Sequence, residues 1–294
     1  MEFIEFLING VRLGSVYALI ALGYTMVYGI AKMLNFAHGD VIMVGAFVVY
    51  TTCNTLGLPP VVGIVVAVVL CTLLGILIEK IAYKPLRGAT SNLAVLITAI
   101  GVSYFLQNAA LLIFGAAPKN FTSIVPYEGI QIAGGQITID GETIVIIAVS
   151  IVIMIALTVF IKKTKAGQAM LAVSEDKGAA QLMGINVNGT ISLTFAIGSA
   201  LAAVAGMLFC SVYPGLSSTT GSMPGIKAFT AAVFGGIGSI PGAFIGGILL
   251  GVIENLSKAY ISTQLSDAIV FSILIIVLLV KPTGLLGKNI QEKV

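Results

Sequence analysis

Long apolar runs, each closed by a few polar or charged residues, fill the chain from end to end. Residues 6–30 are long enough to cross a membrane, since about 20 helical residues at about 1.5 Å each span the hydrocarbon. The loop AKMLNFAHGD (31–40) follows, then a second apolar run at 41–56. Pro59 and Pro60 open a third that runs to about residue 78, where Lys80, Lys84 and Arg87 mark its end. Further runs cover 93–114, 143–161, 190–213 and 268–280. In hydrocarbon the backbone must satisfy its own hydrogen bonds, so these runs are predicted as helices.

Two segments break the pattern. Residues 226–256 could form one tilted helix, but GGIGSIPG (235–242) interrupts them. Pro241 removes a backbone donor in the middle, and the glycines around it favour a bend. The prediction is therefore an inward half at 226–234 and an outward span at 243–256. Between 115 and 142 the string GIQIAGGQITID alternates apolar and polar residues around Gly134-Gly135, which predicts a β-hairpin with a two-residue turn. The sum is an all-α polytopic membrane protein of about eight to nine transmembrane helices, one of them broken, with a small outer hairpin and a short cytoplasmic helix. Residues 34–48 and 222–236 also resemble each other weakly, both running from a small, polar turn into a Gly-rich span, as in an inverted repeat.

The short helix is expected in the polar island AGQAMLAVSEDKGAAQLMGINVNG (166–189). Ser174 is a candidate N-cap, with Glu175 and Asp176 at the positive end of a helix over 175–183. Gly184 stands where that helix needs a left-handed stop. Ala179 and Ala180 belong to its apolar side. The residues alone leave two roles open, a plain interfacial connector and a docking site for a partner.

Composition agrees with the membrane reading: 58% of the 294 residues are hydrophobic and 9% charged, against about 25% charged in soluble domains. A net charge of +3 gives no reason to expect nucleic acid. Glu2 and Glu5 stand where a cleavable signal would be basic, so the first span is expected to stay in the membrane. With the N-terminus outside, nine crossings place eleven of the fifteen Lys and Arg residues on the inner side, the exceptions being Arg12, Lys119, Lys227 and Lys258. That bias orients the chain. Cys53, Cys71 and Cys210 lie apart in apolar runs and read as packing residues.

No G-x-x-x-x-G-K-[ST] loop is present; GLLGKN (284–289) lacks the hydroxyl residue. His38 is the only histidine, so a histidine cluster or a serine triad has nothing to build on. Asn35, Asp40, Gln107, Asn108 and Glu254 are polar groups in or near the membrane, where such groups line a packed interior or a solute path. Asn35, Phe36, His38 and Asp40, with Gly235, Gly236, Gly238, Ser239 and Pro241 of the interrupted element, are the candidate path, because irregular backbone at membrane depth is tolerated around a cavity. A hydrogen-bonded structural role is the competing reading for His38. No metal ligand set is expected.

The runs GSVYALIALGYTMVYGIAKMLNFAHGD (14–40), KAFTAAVFGGIGSIPGAFIGG (227–247) and LLVKPTGLLG (278–287) resemble branched-chain amino acid ABC permeases of the LivH type, over nearly the full length. EDKGAAQLMGIN (175–186) is similar to the cytoplasmic coupling segment of that family. The resemblance implies a single permease domain (1–294) in the bacterial inner membrane, a second homologous permease beside it, two cytoplasmic ATPase subunits and a periplasmic substrate-binding protein. It also implies that ATP and Mg are used by the ATPases, with no cofactor or enzyme activity on this chain, and that Ser174, Glu175, Asp176, Ala179, Ala180 and Gly184 couple to an ATPase. The cargo would be leucine, isoleucine or valine. The alternatives are a stand-alone channel or ion-coupled carrier for a solute such as urea or an amide, which should show paired intramembrane charges, and a membrane-embedded enzyme, which should show a polar catalytic cluster.

Overall fold

A computed structural model of the chain describes residues 2–88, 92–121, 129–132 and 137–287. Its axis is α1 (Glu2–Ala31), in which every residue from Leu13 to Val27 is buried. The reason is geometric: α1 is wrapped by five later helices, so along this stretch it has no side left for lipid. After it come α2 (His38–Tyr50), one wide turn at Thr51–Thr55, and α3 (Pro60–Ile78), which continues through Glu79–Tyr83 and Lys84–Gly88. Proline at the first helical position suits the start of α3, where no N–H is needed.

Then follow α4 (Asn92–Phe114), β1 (Lys119–Asn120), β2 (Ile130–Ile132), β3 (Ile137–Ile139), α5 (Gly141–Lys163), α6 (Lys165–Glu175) and α7 (Lys177–Leu182). The chain ends with α8 (Val187–Val212), β4 (Gly215–Leu216), α9 (Ser222–Gly235), α10 (Ile240–Tyr260) and α11 (Ser266–Val280). The hairpin is present, with Ile130 opposite Ile139 and Ile132 opposite Ile137. Its Gly134-Gly135 turn, together with Glu128, Lys288, Lys293 and the end of GLLGKN, lies outside the described residues. A second small pairing, Lys119 opposite Leu216 and Asn120 opposite Gly215, joins the loops after α4 and α8.

The all-α membrane architecture stands: among the described residues six helices are long and apolar enough to cross, and α11 is a shorter apolar one. Two expected crossings are shorter than a span. Helices α2 and α9 have 13 and 14 residues, about 20 Å each at 1.5 Å per residue. Helix α3 shows how sequence chooses sides. Val61, Val65, Val69, Leu73 and Leu77 recur every fourth residue and are exposed, as a lipid face should be. Gly63, Ala67, Cys71 and Gly75, displaced in phase from that face, are buried and let α2 and α8 approach closely.

Candidate functional site

The two short helices begin against each other. Gly39, in the first turn of α2, meets Gly221 and Gly225 at the start of α9: a Cβ on Gly39 would lie 2.7 Å from the Gly221 carbonyl, and one on Gly225 would lie 2.9 Å from the Gly39 Cα. Only glycine permits this backbone contact. From the junction α2 runs toward Thr55 at the hairpin end, and α9 runs toward Gly235 at the lysine-rich end. The weak echo between residues 34–48 and 222–236 thus corresponds to two half-helices pointing their N-termini at one depth.

Polar groups collect there. Asp40 is 1% exposed and accepts a hydrogen bond from the Gln107 amide of α4 at 2.9 Å. The same amide donates to Ser222 Oγ at 3.3 Å, so one side chain ties both half-helices to α4. Two helix N-termini and an amide donor offset part of the cost of burying that carboxylate. Asn35 is buried and accepts from the Tyr83 hydroxyl at 2.9 Å. His38 is buried with its ring on the Gly23 backbone and edge-on to Tyr24, 4.6 Å between centroids. Phe36 and Tyr24 both reach Phe229 of α9, at 5.9 and 5.7 Å. The candidates from Asn35 to Asp40 therefore gather at one place, and Tyr24, Gln107, Ser222 and Phe229 complete it.

The interrupted element lies elsewhere. Gly235 ends α9, Gly236, Gly238 and Ser239 lie in the turn that follows, with φ of +104° at Gly236 and +92° at Gly238, and Pro241 lies in α10. Ser239 caps α10 by accepting from the Gly242 N–H at 3.2 Å, and Pro241 falls in its first turn. The expected inward half and outward span are both present as α9 and α10, and the cap and the proline start the second helix. The corner between them, however, lies at the end of α1 rather than at the depth of the junction. Leu285 and Leu286 donate to the Phe234 and Gly235 carbonyls, each at 2.9 Å, and so close the end of α9. Gly238 touches the last turns of α1 at Gly29, inward of the junction.

The polar island also differs in detail. Helix α6 continues to Glu175 because Met170 and Val173 are fully buried and hold it. The N-cap of the next helix is Asp176, whose Oδ1 accepts from Gly178 and Ala179 N–H at 2.7 and 3.0 Å. Ser174 instead donates to the Leu171 carbonyl at 2.7 Å. Glu175 is the last residue of α6, at its negative end. Gly184 does stop α7, with φ +81°, and the Ile185 N–H returns to the Ala180 carbonyl at 3.0 Å. Ala180 is 4% exposed and faces the protein. The outward apolar residues are Ala179, Leu182 and Met183, the latter two 90% and 82% exposed.

One cluster escaped the sequence. Glu254 of α10, 1% exposed, accepts from Lys227 of α9 at 2.8 Å, Lys258 at 2.6 Å and the Tyr17 hydroxyl at 3.0 Å. Lys227 also meets Asp267 of α11 at 2.7 Å. Paired charges of the kind asked of an ion-coupled carrier are therefore present. Two lysines balance two carboxylates, and every member has a partner, as burial requires. Glu79 of α3, fully buried, is likewise held by Arg87 and by Ser192 Oγ of α8 at 2.5 Å. Among the described residues no group of His, Cys, Asp and Glu could hold a metal ion.

Comparison with known proteins adds the following. The family model for the branched-chain amino acid transport system permease component matches residues 6–278. The chain is 46% identical to the high-affinity branched-chain amino acid transport system permease protein LivH of Salmonella typhimurium, covering 100% of this chain and 98% of that protein. It is 44% identical to the corresponding BraD of Pseudomonas aeruginosa, with the same coverage. It is 30% identical to the probable LivH of Methanocaldococcus jannaschii over 92% of this chain and 88% of that one. Among solved structures it is similar in fold to PsaBC from Streptococcus pneumoniae in complex with Fab, with a TM-score of 0.50, 18% identity and 96% of each chain covered.

Proposed function

The chain belongs to the branched-chain amino acid transport system permease family, and on that premise we propose how it takes part in import. It is the membrane subunit of an ATP-driven importer for leucine, isoleucine and valine, passing them along the junction of α2 and α9. A periplasmic binding protein delivers the solute, a second homologous permease completes the pathway, and two separate cytoplasmic ATPases use ATP and Mg. This chain contributes the path and the docking helix, not hydrolysis.

The observation that carries the reading is the junction itself. Two half-helices meet there by backbone, beside one buried carboxylate and an amide donor. Parting them exposes N–H groups and Asp40 to a zwitterion, while Phe36 and Phe229 offer an apolar wall to its side chain. At the inner end α7 presents Ala179, Leu182 and Met183 outward, held in shape by Asp176 and Gly184. A surface of this kind suits a hydrophobic groove on a partner.

The buried charges around Glu254 favour a second reading, an ion-coupled carrier. Their closed pairing weighs against it, since a transported ion needs a ligand set with an open position. The test is reconstitution of all subunits in liposomes with labelled leucine. Uptake should need ATP, Mg and binding protein, and should be competed by isoleucine and valine but not by urea. Uptake by this chain alone on a sodium or proton gradient would replace the proposal with the carrier.

A further inference from the structure

Helix α1 is gripped at both ends by segments from the middle of the chain. At its inner end Lys32 takes a left-handed φ of +57°, and its N–H returns to the Tyr28 carbonyl at 2.9 Å. That cap satisfies Tyr28 and leaves the Ala31 carbonyl open. Lys177, the first residue of α7, donates its ammonium to that oxygen at 3.0 Å. The cation sits on the negative end of the α1 dipole. Burial, and after it the neighbouring charges of Arg87 and Lys32, hold the Lys177 ammonium below the ordinary lysine range.

At the outer end Arg12 of α1 pairs with Asp140 at 3.2 Å, and Asp140 joins the hairpin strand β3 to α5. Between the two grips α1 is unbroken, part of one helix of 30 residues. Its flank toward α10 is smooth at Gly10 and Gly14, which face Val252 and Ile248 by backbone. This contact, with the hydrogen bonds from Tyr17 to Glu254 and from Asn255 to the Phe6 carbonyl, ties α1 to α10, so the stiff helix carries a displacement along its length. The middle of α1 supplies Gly23 and Tyr24 to the half-helix junction.

We propose that Lys177 is a positioning residue for transport, the pin through which a displacement of α7 is passed to α1 and along it to the junction of α2 and α9. This rests on the importer reading above. Helix α7 packs on α6 and α8, so a partner pulling on Leu182 and Met183 already moves those helices. The Lys177 contact adds a direct bond to α1, which α7 otherwise reaches through α6 and α8.

The test uses the complete importer in liposomes, wild type against Lys177→Met, which keeps the stem and removes the donor, and Lys177→Arg, which keeps a donor. The readout is leucine taken up per ATP hydrolysed. Lys177→Met should keep its ATPase subunits and lose about fivefold or more in that ratio, while Lys177→Arg stays within about twofold of wild type. An unchanged ratio in Lys177→Met, or loss of the ATPases from that complex, overturns the pin. A wild-type complex without ATP-dependent uptake instead overturns the importer reading. Should Lys177→Met fail to fold, spin labels on wild type at Lys32 and Gln181 decide the matter. Their separation should stay constant between resting and ATP-trapped states, and a state-dependent separation refutes the pin.

Discussion

The Gln107 side chain donates to the Asp40 carboxylate across 2.9 Å, joining α4 to the first turn of α2 where α9 also begins. Gln107 shares that buried carboxylate with the Ser103 side chain and the Asp40 backbone. Gln107→Leu removes one of these donors and should cost about 1–3 kcal/mol. Gln107→Glu should be worse, since it sets a second carboxylate beside the first. Thermal unfolding in detergent checks both, and equal melting temperatures for wild type and Gln107→Glu would contradict the role given to this contact.

Helix α7 makes opposite predictions at nearby positions. Leu182→Glu falls on an exposed residue and should change stability by no more than about 0.5 kcal/mol. It should nevertheless release the ATPase subunits during purification. Ala180→Glu buries an unpaired charge and should lower stability by several kcal/mol, about what breaking a buried pair costs. Melting temperature and co-purification, measured side by side, separate the two.

The ends of α7 give a third contrast. Asp176→Ala removes the acceptor of two backbone N–H groups and should cost about 1 kcal/mol. Gly184→Val forces a β-branched residue to φ near +81° and should cost about 1–3 kcal/mol. Ser174→Ala should be close to neutral, because Ser174 caps nothing in α7. Hydrogen exchange over residues 177–185 reports the fraying expected of the first two and its absence in the third.

The cluster around Glu254 gives the fourth. Glu254→Leu leaves Lys258 without its carboxylate and Lys227 with Asp267 alone, and should cost about 3–5 kcal/mol. Combining it with Lys258→Met should recover part of that loss, since the stranded charge leaves with its partner while Lys227 keeps Asp267. ATP-driven uptake should recover in parallel. Persistent loss of uptake in a double variant of restored stability would give these charges a role in the path.

Much of this architecture is written in local pattern. The prolines at 59 and 60, the lysines at 162 and 163, and Gly184 mark helix ends by backbone chemistry that needs no partner. The hairpin follows from alternation alone. What the pattern hides depends on tertiary contact. Ser174 is the expected cap and Asp176, two residues on, carries an equally good capping side chain; the burial of Met170 and Val173 decides for Asp176 by extending α6. Lys227 and Glu254 stand 27 positions apart on different helices, so neither announces the other. Residues 235–242 mislead about depth: glycines and a proline signal a bend, but only the packing of Gly238 on Gly29 shows that the bend lies at the end of α1. The echo between residues 34–48 and 222–236 holds the central feature, yet the meeting of the two starts is a fact of three dimensions.

That meeting is the centre of the proposed path, and thiol accessibility tests it most directly. Cysteine replaces Phe36 or Ser222 in a Cys53→Ser background, in which the remaining Cys71 and Cys210 are buried. A membrane-impermeant, polar thiol reagent is applied to the complete importer at rest and again with ATP trapped. Gly39 and Gly221 close the junction here, so both positions should react slowly in one state and quickly in the other as the half-helices part. Equal protection of both cysteines in the two states would contradict a solute path between α2 and α9.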